Sequence, residues 1–169
     1  MSKIIFVIGK PGSGKTTYIN SLCNKLKKED IVVLNDWYIL KKLAHIDKYK
    51  KLIEPYDSKG FKVLDNSIFK ISEKILLEEI QNKISQKQMI IVIEFARINY
   101  CSTFKFLLPC ISSDDDIIYI DTCFDECKAR NIIRESHSVP NELMEKYYYD
   151  DLDELKKMFP NKVRCIVNS

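Results

Sequence analysis

Glycine is scarce in this 169-residue chain, and three of its four glycines, Gly9, Gly12 and Gly14, fall in one short stretch. No Gly/Ser-rich linker and no low-complexity tract divides the sequence, so residues 1–169 read as a single domain. Histidine is scarcer still. His45 and His137 match no metal or triad spacing and read as surface residues. The six cysteines, Cys23, Cys101, Cys110, Cys123, Cys127 and Cys165, are scattered without a C-x-x-C or a Cys/His zinc pattern. Buried reduced thiols are expected, which fits a cytoplasmic protein. No apolar run approaches the ~18–20 residues that span a bilayer. The N-terminal run stops at Gly9, so it reads as a strand and not as a signal segment. A formal net charge of +3 suits anionic substrates without demanding nucleic acid.

The glycines that are present carry the strongest signal. Lys3 to Ile8 is apolar after its first residue and runs into Gly9-Lys10-Pro11-Gly12-Ser13-Gly14-Lys15-Thr16-Thr17. This is the complete G-x-x-x-x-G-K-[ST] phosphate-binding loop. Its backbone N–H groups cradle phosphate oxygens, and the helix that follows turns its positive end toward the same anion. Lys15 supplies a point charge for the β- and γ-phosphates, and the Thr16 hydroxyl is placed to ligate Mg²⁺. The context fits on both sides: a strand before the loop, and after it a helix with Tyr18, Ile19, Leu22 and Leu26 as its apolar stripe.

That helix is expected from about Lys15 to Lys28, followed by a turn at Glu29-Asp30. Ile31 to Leu34 reads as a strand buried on both faces, and Trp37 to Leu43 as a short helix capped by Asn35 or Asp36. Ala44 to Asp65 reads as helix remnants and loop. A longer helix should open at Asn66 or Ser67 and run to about Ser85. Met89 to Ile93, the most apolar run, is the expected central strand. Helices follow over about Tyr100 to Ile111, Asp125 to Glu135 and Glu142 to Phe159, with strands at Ile117–Ile120 and Val163–Val167. Strands alternating with helices predict an α/β fold of parallel strands joined by right-handed crossovers.

In such a sheet, ligands bind at the carboxyl ends of the strands. Asp36 ends the second strand, where it suits a general base for an acceptor hydroxyl or a helix N-cap. Glu94 ends the most apolar run, where a carboxylate is costly unless it has a task or a partner. It reads as an organiser of Mg²⁺ through water, or as the base in place of Asp36. Arg97 reads as its ion-pair partner or as a contact to acceptor or phosphate. Asp121 reads as a helix cap. Arg130 and Arg134, four apart on one helix, suit bidentate contacts to phosphate or form a solvated cationic face. Trp37, Tyr38, Tyr49 and Tyr56 read as core or as a stacking surface. Of Tyr147, Tyr148 and Tyr149, one is expected in the core and one facing a ligand.

With these residues in place the chain resembles the P-loop kinase group, which includes nucleoside, nucleotide, polynucleotide 5′-hydroxyl, shikimate and adenylylsulfate kinases. The phosphate loop with Asn35-Asp36 after the second strand looks most like polynucleotide kinase, in which the matching Asp is the base. Glu94-x-x-Arg97 is similar to the Glu-Arg-Ser signature of deoxynucleoside kinases at a different spacing. The resemblance implies a three-layer P-loop NTPase fold, with a five-stranded parallel sheet in order 2-3-1-4-5, helices on both faces, and a helical lid over about 126–150. It implies an ATP- and Mg²⁺-dependent phosphotransferase acting on a hydroxyl of a nucleoside, nucleotide or nucleic-acid end. The loop Gly9 to Thr17 would bind ATP and Thr16 the metal. Lys15, Asp36, Glu94, Arg97, Arg130 and Arg134 would carry the chemistry. In that group an adenine-contacting loop and a helix follow the fifth strand. The sequence stops at Ser169, so base recognition is expected to be weak or to come from the lid. The rival reading is a nucleotide-binding switch or a degenerate kinase fold. Against the switch stand the lack of a guanine-reading Asn-Lys-x-Asp and of a strand ending in Asp-x-x-Gly.

Overall fold

Apolar runs too short for helices and bounded by turn residues make the strands of this protein, and the polar-edged segments between them make its helices. The structure, a computed structural model, describes residues 2–26, 30–56, 60–86, 89–134 and 137–168. The expected helix end at Lys27-Lys28, Glu29 of the turn, Ser58-Lys59 of the loop and the Glu135-Ser136 junction lie outside the described residues.

The main sheet comprises β1 (Lys3–Ile8), β2 (Ile31–Asn35), β5 (Ile90–Phe95), β6 (Asp116–Asp121) and β7 (Val163–Val167), separated in sequence by a hairpin of β3 (Ile53–Tyr56) and β4 (Gly60–Val63). Its order is β2-β5-β1-β6-β7, and every pair is parallel. Counted along its own strands, that is the expected 2-3-1-4-5. The helices are α1 (Lys15–Leu26), α2 (Asp36–Ala44), α3 (Ser67–Gln86), α4 (Tyr100–Leu107), α5 (Phe124–Ile133), α6 (Asn141–Met144) and α7 (Leu152–Met158). No helix among the described residues is long and apolar enough to cross a membrane.

Strand periodicity sorts the core into two layers. Ile4, Phe6 and Ile8 of β1, with Ile91, Ile93 and Phe95 of β5, pack with residues of α2, α3, α4 and α7. Ile5 and Val7, with Val92, Ile118 and Ile120, pack with Ile19 of α1. Each fully buried aliphatic or aromatic side chain contributes about 1.5–3 kcal/mol. The middle strand is β1, and β5 lies one place off it.

Several expectations are corrected. β2 is an edge strand, with Val33 45% exposed, and is not buried on both faces. Residues 44–65 contain the β3–β4 hairpin, whose Ile53 is fully buried beside α2. α4 ends at Leu107, and Leu108 to Cys110 tighten into a 3₁₀ turn around Pro109, which cannot continue the ladder. The helix expected over Glu142 to Phe159 is broken. α6 is followed by a 3₁₀ turn at Glu145–Tyr147, and α7 starts only at Leu152. Two aspartates hold the break open by bonding elsewhere. Asp151 accepts from the N–H groups of Tyr100 and Cys101 at the start of α4, and Asp150 accepts from the Tyr119 hydroxyl at 2.6 Å. Asp121 caps nothing: it ends β6, exposed, and α5 begins after Cys123.

Candidate active site

The phosphate loop joins β1 to α1 at the carboxyl edge of the sheet. Two of its glycines are required where they stand. Gly12 has φ +83°, and a Cβ there would collide with the backbone of Cys127 on α5. Gly14 has φ +92°, and a Cβ would meet the Asn168 amide. The carbonyl of Ser13 accepts from Thr122 Oγ1 at 2.9 Å and from Asn168 Nδ2 at 2.8 Å, so the loop is tied to the ends of β6 and β7. Lys10 turns away from the loop's mouth. Its ammonium donates to the Tyr119 hydroxyl at 2.9 Å and lies 3.6 Å from Asp150.

Lys15 is buried, and its ammonium donates to the carbonyls of Gly9 at 3.1 Å and Lys10 at 2.9 Å. Burial lowers its pKa below the usual lysine value, with Glu94 pulling the other way. The Thr16 hydroxyl donates to Glu94 Oε1 at 3.0 Å, and Asn35 Nδ2 donates to Glu94 Oε2 at 3.0 Å. Parallel register puts Glu94 beside both Val7 and Asn35, so the sheet itself aims this carboxylate at the loop. A magnesium ion held mainly by phosphate oxygens and water needs only one or two protein oxygens. Thr16, backed by Glu94, offers that set of hard donors.

Asp36 opens α2 but does not cap it. The cap is Asn35, whose side chain accepts from Trp37 N at 2.9 Å. Asp36 is left for Arg97, whose Nη1 donates to Asp36 Oδ2. The expected pairing of Arg97 with Glu94 is replaced by one with Asp36 and, at 3.5 Å from Nε, with Glu73 of α3. All three side chains are buried. Burial raises the Asp36 pKa, against the pull of Arg97 and Lys15. Burial also works against the charge of Arg97, yet Asp36 and Glu73 outweigh it and hold the guanidinium protonated.

Glu73 was missed by sequence reasoning. The signal was there: it lies four residues after Phe69 and three before Leu76, so a carboxylate sits on the apolar stripe of α3.

The two arginines expected in a lid part company. Arg130 pairs with Glu126 one turn back and lies against the phosphate loop at Gly14. Arg134 follows the last turn of α5 with extended backbone, so the two do not share a helix face. Arg134 lines the cavity with Lys15, Thr16 and Glu94. Burial lowers its pKa, and Glu94 opposes this.

That cavity, about 440 Å³, has a polar end and an aromatic one. Lys15, Thr16, Asn35, Glu94 and Arg134 form the polar end; Trp37, Phe61, Phe69 and Tyr147 supply the aromatic walls, and Asp36 and Arg97 also line it. His137, expected at the surface, is half-buried and stacks on Trp37 with ring centres 3.6 Å apart. His45 is exposed, as expected. Of the tyrosine triplet, Tyr147 faces the cavity while Tyr148 and Tyr149 are exposed. Tyr38 and Tyr56 are exposed, and Tyr49 packs against the core.

The family model described as "Chromatin associated protein KTI12" matches residues 1–159. The chain belongs to this family. A search of curated proteins finds no match. Among solved structures the KTI12-family chain is similar to an unliganded sugar kinase from Janibacter sp. HTCC2649, at 16% identity and a TM-score of 0.64 over 99% of this chain and 85% of that one. It is also similar to shikimate kinase from Acinetobacter baumannii in complex with shikimate, at 14% identity and a TM-score of 0.58 over 100% and 84%. A gluconokinase from Sinorhizobium meliloti 1021 follows at 12% identity and 0.58 over 98% and 82%. At these identities the likeness is one of fold, and the fold is that of the P-loop kinases.

Proposed function

We propose that this KTI12-family chain is an ATP- and Mg²⁺-dependent phosphotransferase, and that its acceptor is a hydroxyl of a nucleoside, nucleotide or nucleic-acid group. The observation that carries the reading is one cavity with the Lys15–Thr16–Glu94 constellation at one end and a buried, uncapping Asp36 on its wall. The phosphate loop, Gly9 to Thr17, would hold the triphosphate through its backbone N–H groups. Lys10 would serve through its backbone alone, since its ammonium is engaged behind the loop. Thr16 would hold the metal, which when bound supplies neutralising charge for the β- and γ-phosphates. Lys15 and Arg134 would stabilise charge on the transferring group. The acceptor O–H would give its proton to the Asp36 carboxylate as its oxygen bonds to the γ-phosphorus. The β–γ bridging P–O bond would break, its electron pair leaving with ADP. Arg97 holds Asp36 in place, and Arg130 would act from the outer side of the loop. Residues of about 126–150 would form the lid of a single domain spanning 1–169. The scattered cysteines lead us to place the reaction in the cytoplasm.

The test is transfer of label from γ-labelled ATP, with Mg²⁺, to nucleosides, nucleotides, 5′-hydroxyl oligonucleotides and sugars. We expect one class to be labelled, and labelling to be lost in Lys15→Ala and Asp36→Asn. ATP bound tightly, with neither transfer nor loss of γ-phosphate, would overturn the reading in favour of a switch.

A further inference from the structure

The Asp36–Arg97 pair has a third member that the proposed reaction does not use. Glu73 reaches Arg97 from α3, with its Oε1 3.5 Å from the guanidinium Nε, and it is held there by a 2.5 Å hydrogen bond from Thr103 Oγ1 of α4. Glu73, Arg97 and Asp36 are 5%, 4% and 4% exposed, so water screens none of these charges well. The guanidinium is not free to choose between its partners. Its carbon sits 4.4 Å over the Phe69 ring and 5.4 Å from the Phe95 ring, and its Nη1 also donates to the Ala96 carbonyl at 2.9 Å. Phe69 and Glu73 are one helical turn apart, so the same face of α3 sets both the plane of the guanidinium and its second carboxylate.

One cation thus faces two buried carboxylates. A carboxylate that owned Arg97 outright would be a poor base, because a full neighbouring positive charge holds it ionised down to low pH. A carboxylate with no cation could not stay ionised in this burial at all. We propose that Glu73 is a positioning residue that takes a share of the Arg97 charge, leaving Asp36 only partly neutralised and so able to accept a proton from a hydroxyl near neutral pH. The inference rests on Asp36 as the base of the proposed reaction. The other groups facing Asp36 are Lys15 from α1 and Tyr147 from the 3₁₀ turn after α6. Burial pushes the Asp36 carboxyl up, while Arg97 and Lys15 pull it down.

The test reads Asp36 directly and needs no turnover. The carboxyl ¹³C shift of Asp36, assigned by loss of its signal in Asp36→Asn, is followed against pH in the full chain. Wild type is compared with Glu73→Asp, which draws the second charge back by one methylene, and with Glu73→Gln, which removes it and keeps an acceptor for Thr103. The expected order of midpoints is wild type, then Glu73→Asp, then Glu73→Gln, with Gln lower than wild type by about one pH unit or more. If Glu73→Gln does not fold, the downward shift in Glu73→Asp carries the test alone. A midpoint that is unchanged or raised in a variant with native dispersion of its amide signals overturns the proposal, because a merely structural Glu73 leaves Asp36 titrating as before. Since the readout is a titration, it stands or falls apart from phosphotransfer. Where transfer is measurable, the acid limb of its pH profile should move with the midpoint.

Discussion

The two ends of the cavity are built in opposite ways. The proposed donor end is built mainly on one continuous stretch, Gly9 to Thr17, tied to the sheet by hydrogen bonds from Thr122 and Asn168 to the Ser13 carbonyl, from Thr16 to Glu94 and from Lys10 to Tyr119. The proposed acceptor end is assembled from side chains of α2, β4, α3, the segment after β5, and residues 137–147. Its charges are buried and shared, and Arg97 Nε and Nη2 make no hydrogen bond there. Local construction tolerates the loss of a side chain without unfolding. Assembly from distant segments couples the site to the stability of the whole chain.

The sharpest contrast comes from removing one cation at each end. Lys15→Ala should lower phosphate transfer by about a thousandfold or more, measured with γ-labelled ATP. Thermal stability should change little, because among the described residues the Lys15 ammonium donates to carbonyls of its own loop. Arg97→Met should do the reverse in kind. It leaves Asp36 and Glu73 buried without their cation, a loss of about 3–5 kcal/mol in urea unfolding. Restoring neutrality with Arg97→Met, Asp36→Asn and Glu73→Gln together should return most of that stability without activity. Equal destabilisation by both single variants would break the comparison.

Gly12→Ala tests whether the donor end is as self-contained as it looks. Its φ of +83° is strained for alanine, and the added Cβ would push on the backbone of Cys127 in α5. A loss of about 1–3 kcal/mol is expected, together with weaker nucleotide binding. A loss confined to binding would mean that the loop yields without disturbing α5.

The same contrast decides what could be read from the sequence. The phosphate loop is legible because spacing alone places its atoms. The three inner strands of the main sheet are legible because two-sided burial leaves runs such as Ile90 to Ile93 almost wholly apolar, and the edge strands β2 and β7 because each still keeps a short apolar run. Asp36 was found by its place at a strand end, but its partner was not, because the Asp36–Arg97 contact joins residues 61 positions apart. The hairpin was missed for a local reason. β3 is Ile-Glu-Pro-Tyr and β4 is Gly-Phe-Lys-Val, with a proline and no clean alternation, and its burial comes from packing beside α2. Arg134 was placed on a helix face because the periodicity of α5 continues one residue past the point where its backbone becomes extended.

The smallest expected effect lies where the acceptor end closes. His137, at φ +62°, lays its ring on Trp37, the chain's single tryptophan. Burial lowers the His137 pKa, and Arg134 and Lys41 add to this. A histidine with a lowered folded pKa binds protons less readily folded than unfolded. Its contribution is therefore complete above the unfolded value near 6.5 and lost as pH falls through the folded one. Tryptophan emission should be flat near neutrality and change only below the usual histidine range, since a charged ring stacks differently on the indole. His137→Ala should abolish that transition and cost about 0.5–1.5 kcal/mol, less than Arg97→Met. If the transition persists in the variant, the titrating group is another residue, and the stack is incidental to closure of the cavity. If it vanishes and the apparent affinity for an acceptor falls with it, residues 137–140 are part of the acceptor site, and the division into a local donor end and an assembled acceptor end holds to its edge.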